Sequence, residues 1–298
     1  MPNARKIQNL YAYNTHVSFE VFPPKTNQGL KQIYQTIARL KGMSPDFFSV
    51  TYGAGGSTAE KSLDIASAIT NLAQVTCVAH FTCAHLSRPQ VLELLQSLEF
   101  HGINNVLALR GDPPQGQGTF VRPQDGFGYA SELVAFIREH SKVGILVAGY
   151  PEGHMENPDK EDDFRHLVQK VEAGADGIVT QLFFDNRFLV EFKEKLDRAG
   201  VQVPLVAGIF PLSNLKQLDR IASMSKNYVP PRLKAGLEKW ANDPESMEQF
   251  GTDYAIEQVQ GLLDLGFRDF HFYTMNRYQQ TRNILFALKD YFPRLKFD

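Results

Sequence analysis

The chain has 298 residues, 43% of them hydrophobic and 21% charged, with a formal net charge of -2 at pH 7. That length suits one large α/β barrel or two smaller domains, with enough apolar residues for a real core. The near-neutral charge argues against a general nucleic-acid binder, which would normally show a basic stripe; no apolar run is long enough for a membrane span, and the start "MPNARKIQNL" lacks the apolar core of a secretory signal.

A cytoplasmic protein with no nucleic-acid or membrane partner is therefore expected. Its two cysteines, Cys77 and Cys83, fall an even distance apart in one strand-like run. They share a face but are too far apart to bridge, so two reduced thiols are expected.

The first element is "HVSFEVF" (16–22), with Val17, Phe19, Val21 and Phe22 apolar and Pro23-Pro24 ending the run. Glu20 stands two residues before that stop. Strand alternation alone would place Ser18 and Glu20 together on a wet face. "GLKQIYQTIARLKG" follows, with Leu30, Ile33, Ile37 and Leu40 at helical spacing. Next comes the strand "FFSVTYG" (47–53). The "GAGGS" at 53–57 lacks G-x-G-x-x-G spacing and reads as a mobile loop.

Further strand-like runs are "VTCVAHFTC" (75–83), "NNVLALR" (104–110), "GILVAGY" (144–150), "GIVTQLF" (177–183), "PLVAGIF" (204–210) and "FRDFHFYT" (267–274). Helix-period stretches separate them. Gly42, Gly102, Gly174, Gly200 and Gly266 each stand where a left-handed C-cap belongs. Residues 226–265 hold two extra helical segments before the last strand.

Strand-helix alternation calls for parallel strands with crossover helices. Eight such units match a (β/α)8 TIM barrel in one domain spanning 1–298. A doubly wound sheet stays open, because periodicity does not say whether a sheet closes.

Active sites of such barrels lie at the C-terminal strand ends. Those ends carry Glu20, Thr51, His80 with Thr82, Arg110-Gly111-Asp112, Tyr150 with Glu152, Gln181, and Thr274 with Arg277. Acids, a histidine, an amide and arginines outnumber lysines, which moves Glu20 from surface residue to candidate site residue. A Schiff-base aldolase needs a strand-end lysine, and none of the eight strands supplies one. A metallohydrolase could draw on Glu20, His80, Asp112 and His154, though no H-x-H or H-E-x-x-H spacing supports it. An organic cofactor with a carboxylic acid as proton donor is the third option. Glu20 between Phe19 and Val21 suits it, since partial burial would keep the acid protonated near neutral pH.

"VSFEVFPPK", "FFSVTYGAGGS", "HFTC", "NNVLALRGDPP", "GYPEGH", "TQLFFD", "GIFP" and "DFHFYTMNR" together resemble the bacterial methylenetetrahydrofolate reductases, in that family's order over about residues 16–277. The resemblance implies a (β/α)8 barrel holding FAD without a covalent bond. It implies ping-pong hydride transfer from NADH or NADPH to 5,10-methylenetetrahydrofolate, giving 5-methyltetrahydrofolate for methionine synthesis. By this match Glu20 is the general acid that opens the imidazolidine ring, and Asp112 meets the pterin and tunes the flavin. Gln181 and Arg277 would contact the folate, with Gln217 a weaker candidate for the same pocket.

The match assigns FAD contacts to Thr51, His80, Leu109, Arg110, Gly111, Tyr129, Ala130, Ala148, His154, Asp163 and Lys170. Arg110 and Lys170 suit the pyrophosphate, and Asp163 a ribose or adenosine hydroxyl. The sequence departs from relatives at Ile221, where some carry an aromatic residue, at His166, often asparagine, and in the long "QGQGTFVRPQDGFG" after Asp112. No S-adenosylmethionine-binding regulatory domain is expected, and family precedent suggests a homo-oligomer. A metal-dependent barrel hydrolase and a flavin- or folate-binding subunit without nicotinamide chemistry remain the alternatives.

Overall fold

The computed structural model describes residues 6–7, 15–24, 26–52, 56–111 and 120–297. Its strands are β1 (His16–Val21), β2 (Phe47–Val50), β3 (Thr76–Thr82), β4 (Asn105–Leu109), β5 (Gly144–Gly149), β6 (Gly177–Thr180), β7 (Leu205–Ile209) and β8 (Asp269–Tyr273). All eight strand-like runs of the sequence are strands, each shorter than its apolar run.

Each strand pairs in parallel with the next, and β1 pairs with β8, so the sheet closes. That excludes the doubly wound alternative. Across the seam Ser18 lies opposite His271, and Glu20 opposite Tyr273.

Alternation divides the strand residues between two cores. Phe19, Phe48 and Phe272 point outward beneath the helices, with ring centroids 5.8 Å (Phe19 to Phe48) and 6.4 Å (Phe19 to Phe272) apart. Inward, Phe47, Val78, Leu107, Leu146, Val179 and Val206 fill the barrel. Ile7 plugs its N-terminal end, its amide donating to Asn105 Oδ1 at 2.7 Å. Each fully buried side chain of this size contributes about 1.5–3 kcal/mol.

The helices are α1 (Asn27–Gly42), α2 (Gly56–Ser67), α3 (Arg88–Phe100), α4 (Ala130–His140), α5 (Lys160–Glu172), α6 (Asn186–Arg198), α7 (Leu215–Ser225), α8 (Pro231–Lys239), α9 (Pro244–Asp264) and α10 (Tyr278–Ala287). The two extra segments of 226–265 are α8 and α9. Of these, α9 packs against both α6 and α10, taking the outer-ring place between them. The true additions are α7 and α8, which cover Leu182, Phe184, Phe210 and Leu212 in a second apolar cluster.

Gly102, Gly174, Gly200 and Gly266 have positive φ, as their C-cap places require. Gly42 does not: α1 runs through it, and Ser44 (φ 59) takes the left-handed turn, its amide bonded to Lys41 O. The "GAGGS" stretch is only partly a loop, because α2 begins at Gly56; residues 53–55 lie outside the described residues. Cys77 and Cys83 are buried free thiols. No described helix is long and apolar enough to cross a membrane.

Candidate active site

The backbone at Glu20 is held by the turn after β8. Thr274 Oγ1 donates to the Glu20 carbonyl at 2.6 Å. Asn276 clamps Phe22, accepting from its amide at 3.1 Å and donating to its carbonyl at 2.9 Å. These bonds fix the end of β1 to the turn after β8, where Met275 and Asn276 are left-handed. The Glu20 side chain is 16% exposed, turned into the barrel mouth.

Its carboxylate meets two imidazoles and a hydroxyl. His80 Nε2 lies 3.3 Å from Glu20 Oε2, and His271 Nε2 lies 3.8 Å from the same oxygen. Ser49 Oγ donates to it at a long 3.5 Å. The His80 contact is electrostatic, since its buried Nε2 makes no aligned hydrogen bond.

These neighbours correct one expectation from the sequence. Burial by itself raises the Glu20 carboxyl pKa, but the imidazoles of His271 and His80 outweigh it and lower the value from 4.5 to about 2. With the mouth open, Glu20 is therefore ionised at neutral pH.

Sequence reasoning missed His271, Ser49 and Tyr273. The alternation in "DFHFYT" holds the signal, since Phe270 and Phe272 face out and so His271 and Tyr273 face in. Tyr273 donates its hydroxyl to Thr180 O at 2.7 Å, and its ring crowds Gly208. A Cβ at Gly208 would lie 2.8 Å from Tyr273 Cε2 and collide with the Thr180 carbonyl.

Around the rim, His80, Leu109 and Ala148 face the mouth from β3, β4 and β5. Thr51 follows β2, its carbonyl accepting from Ser62 Oγ at 2.9 Å. Arg110 pairs with Glu156 at 2.6 Å and lies 4.6 Å over the Phe120 ring. Gly111 has φ +89, and a Cβ there would meet Ala84 Cβ at 2.8 Å. Asp112 lies outside the described residues.

Tyr129 caps α4, which opens at Ala130, and stacks on His166 at 4.8 Å. His154 packs edge-on to Tyr150, and its amide donates to Asp163 Oδ2 at 3.0 Å. Burial pushes the His154 imidazole pKa down, opposed mainly by Glu156 and Asp163.

Lys170 lies on α5 with its ammonium turned toward the end of β5. Its Nζ donates to Ala148 O at 2.6 Å, and burial pushes its pKa down to about 8 against the pull of Asp163. A cavity of about 110 Å³ beside it is lined by Tyr150, Gly153, Lys160, Asp163 and Phe188.

Three candidate substrate residues carry local bonds. Gln181 Oε1 accepts from the Leu182 amide at 2.9 Å. Gln217 Oε1 accepts from Ser213 N at 2.8 Å and Ser213 Oγ at 3.0 Å, so it also serves as a cap for α7. Arg277 reaches Ser213 Oγ at 3.0 Å and Glu248 Oε2 at 3.3 Å. Ile221 is buried among Leu182, Phe210 and Leu218. Glu152, read from sequence as a rim group, instead clasps the turn after α7, accepting from Asn227 Nδ2 (2.9 Å) and Tyr228 N (2.6 Å). Among the described residues no group of three or more His, Cys, Asp or Glu is arranged to hold a metal ion.

Fold and site together define a closed parallel (β/α)8 barrel whose titratable residues converge at the C-terminal mouth on one carboxylate. The family model for methylenetetrahydrofolate reductase matches residues 5–289, and the chain belongs to that family. It is 39% identical over 285 residues to methylenetetrahydrofolate reductase (NADH) 1 of Arabidopsis thaliana, covering 92% of this chain and 48% of the plant protein. The chain thus spans about half the length of such plant relatives. It is 34% identical over 273 residues to 5,10-methylenetetrahydrofolate reductase of Salmonella typhimurium, covering 92% of this chain and 90% of that one. Among solved structures, an uncharacterized protein from Clostridium thermocellum that binds two copies of 5-methyl-5,6,7,8-tetrahydrofolic acid shares the fold. Its TM-score is 0.60 at 15% identity, with 95% of this chain and 98% of that one covered.

Proposed function

We propose that the chain reduces 5,10-methylenetetrahydrofolate to 5-methyltetrahydrofolate by a flavin-dependent ping-pong reaction with a nicotinamide donor. The observation that carries this reading is Glu20, an acid at the barrel mouth flanked by His80 and His271, in a chain matched to the reductase family over 5–289. The NADH in the plant relatives' names favours NADH as donor.

The residues present fit FAD. Lys170 and Arg110 offer cations for a pyrophosphate, and the Lys170 ammonium is already desolvated, so a dianion beside it would raise its lowered pKa again. Asp163 suits a ribose or adenosine hydroxyl, next to the cavity that Lys170 lines. At Gly111 the missing Cβ lets the chain turn at positive φ tight against Ala84 and Thr82, which sets the backbone that follows Arg110. Thr51, His80, Leu109, Tyr129, Ala130, Ala148 and His154 complete the proposed contacts. When bound, FAD supplies the hydride relay between nicotinamide and folate.

The chain's own residues bind the folate and move one proton. Gln181 offers its amide N–H group, since its oxygen is engaged by Leu182 N. Arg277 offers guanidinium N–H donors and Asp112 an acceptor for the amino-pyrimidine edge, with Gln217 at the pocket wall. Glu20 delivers its proton to the departing ring nitrogen, so that the C–N bond opens to an iminium ion ready for hydride. The Ser49 hydroxyl and the imidazoles of His80 and His271 hold that carboxyl in place.

The test is anaerobic visible spectroscopy of the purified protein. A flavin spectrum bleached by NADH and restored by 5,10-methylenetetrahydrofolate supports the reading. The Glu20→Gln variant should keep its flavin and its bleaching by NADH, and lose ~10²–10⁴-fold in folate reduction. No flavin even after added FAD, or undiminished folate reduction in that variant, overturns it.

A further inference from the structure

A carboxylate held ionised has no proton to give, yet the reaction needs one at Glu20. The structure offers a store for it directly below. His271 is 1% exposed, sealed in the barrel beneath Glu20. Phe47 stacks on its ring (5.6 Å, 15°), and Tyr273 closes another side edge-on at 5.5 Å. Tyr273 gives its own hydroxyl hydrogen to Thr180 O, so it does not feed the imidazole. Across the seam with β7, His271 lies opposite Gly208, which brings no side chain.

The hydrogen bonds below His271 fix its lower nitrogen. Ser18 Oγ donates to Phe270 O at 3.2 Å, so it is free to accept from His271 Nδ1, 2.7 Å away. Nδ1 therefore carries a hydrogen, and this branch ends at a backbone carbonyl. Only Nε2 faces upward. Ser49 Oγ lies 3.0 Å from it and 3.5 Å from Glu20 Oε2, and Ser49 is itself 2% exposed. Among the described residues, the hydroxyl that meets the upper nitrogen of the buried imidazole is Ser49, which also touches the acid.

We propose that His271 stores the proton that Glu20 delivers and passes it through the Ser49 hydroxyl, an inference that rests on the reductase reading above. In the open site His271 Nε2–H donates to Ser49 Oγ, and Ser49 O–H donates to the Glu20 carboxylate. When substrate covers the mouth and removes water, a separated ion pair loses its solvation and the neutral pair is favoured. Nε2 then gives its proton to Ser49 Oγ as the Ser49 hydroxyl proton moves to Glu20 Oε2. This leaves a neutral imidazole, which accepts from Ser49, and a neutral carboxylic acid.

That acid protonates the departing nitrogen as the C–N bond breaks, the bond's electron pair staying on nitrogen. One proton is consumed per turnover. Water at the open mouth returns it after product release, by way of Glu20 and Ser49 in reverse. The groups facing Glu20 are Ser49 from β2, His80 from β3, and His271 and Tyr273 from β8. His271 is a positioning and relay residue that does not touch substrate, and of the two imidazoles facing Glu20 it is His80 that stands at the rim.

The experiment uses the flavin-loaded full chain and its His271→Gln and Ser49→Ala variants. Reduced enzyme is mixed anaerobically with 5,10-methylenetetrahydrofolate from about pH 6 to about pH 9, and oxidised enzyme is mixed with NADH as control. Both variants should slow the folate half-reaction ~10-fold or more, the deficit widening as pH rises, while reduction by NADH changes less than ~2-fold.

Infrared difference spectra give a readout independent of turnover. Binding 5-methyltetrahydrofolate should produce a protonated-carboxyl band in the wild type, which Glu20→Gln abolishes and Ser49→Ala weakens. Unchanged folate rates and pH profiles in the variants overturn the relay, as does a full carboxyl band in Ser49→Ala. If His271→Gln fails to fold, Ser49→Ala, which removes one oxygen, decides alone. A wild type that reduces no folate would sink the reductase reading instead, and the relay with it.

Discussion

Lys170 offers the sharpest test of the cofactor side of the site. Its ammonium is buried against the Ala148 carbonyl, and its pKa falls from the usual 10.5 to about 8. That fall corresponds to about 3 kcal/mol held against the charged form at neutral pH. The sign follows from proton counting. Below pH 8 the folded and unfolded chains both hold the proton, and the full penalty applies. Between about 8 and 10.5 the folded chain has released it and the unfolded chain has not, so stability rises with pH. Replacing Lys170 with Met removes the buried charge but strips the Ala148 carbonyl of its donor, which costs about 1–2 kcal/mol. The flavin-free variant should therefore gain about 1–2 kcal/mol, or about 2–4 °C in melting temperature. Its rise in stability between pH 8 and 10.5 should vanish. FAD affinity should drop by about 10–100-fold, the weight of a lost charge-assisted hydrogen bond of ~1.5–3 kcal/mol. Thermal melts with and without FAD, repeated across pH, measure all three. A variant that melts lower and binds FAD as tightly as the wild type would refute both the desolvation and the cofactor placement.

Glu20 titrates in the opposite sense. Its folded pKa of about 2 lies below the usual 4.5, so its contribution is present above pH 4.5 and is lost as pH falls toward 2. Acid unfolding followed by circular dichroism should show that segment, up to about 3 kcal/mol, and Glu20→Gln should flatten it. Gly208→Ala should cost ~1–3 kcal/mol in a denaturant melt, because the new Cβ collides with the Thr180 carbonyl and the Tyr273 ring; a neutral result would mean that β6 and β8 yield at no cost. Glu152→Ala removes both bonds that hold the turn at Asn227 and Tyr228. Limited proteolysis should then cut near residues 226–230 faster, with global stability lowered by about 1–2 kcal/mol.

Several features were legible from the chain alone for identifiable reasons. Eight apolar runs alternating with helix-period stretches left a parallel, helix-covered sheet as the consistent architecture, since crossovers demand it. Glu20 stood out because a carboxylate interrupts an apolar strand just before a Pro-Pro stop. The two helical segments of 226–265 were readable by period, but not their places: that α9 takes the outer ring and α7 with α8 cover the mouth depends on which apolar faces meet. Gly42 shows the same limit at short range, because a glycine near a helix end marks the turn only to within a residue or two.

Composition and periodicity determined the element types, their order and the residues at strand ends, because those follow from local alternation and turn chemistry. Closure of the sheet was decided only in three dimensions, since β1 and β8 pair across nearly the whole chain. The protonation of Glu20 was decided there too. Apolar neighbours in sequence argued for a neutral acid, but those side chains point outward, and the imidazoles that set its charge come from β3 and β8. A pKa is fixed by what stands within a few ångströms, and for Glu20 those imidazoles, His80 and His271, lie 60 and 251 positions away along the chain.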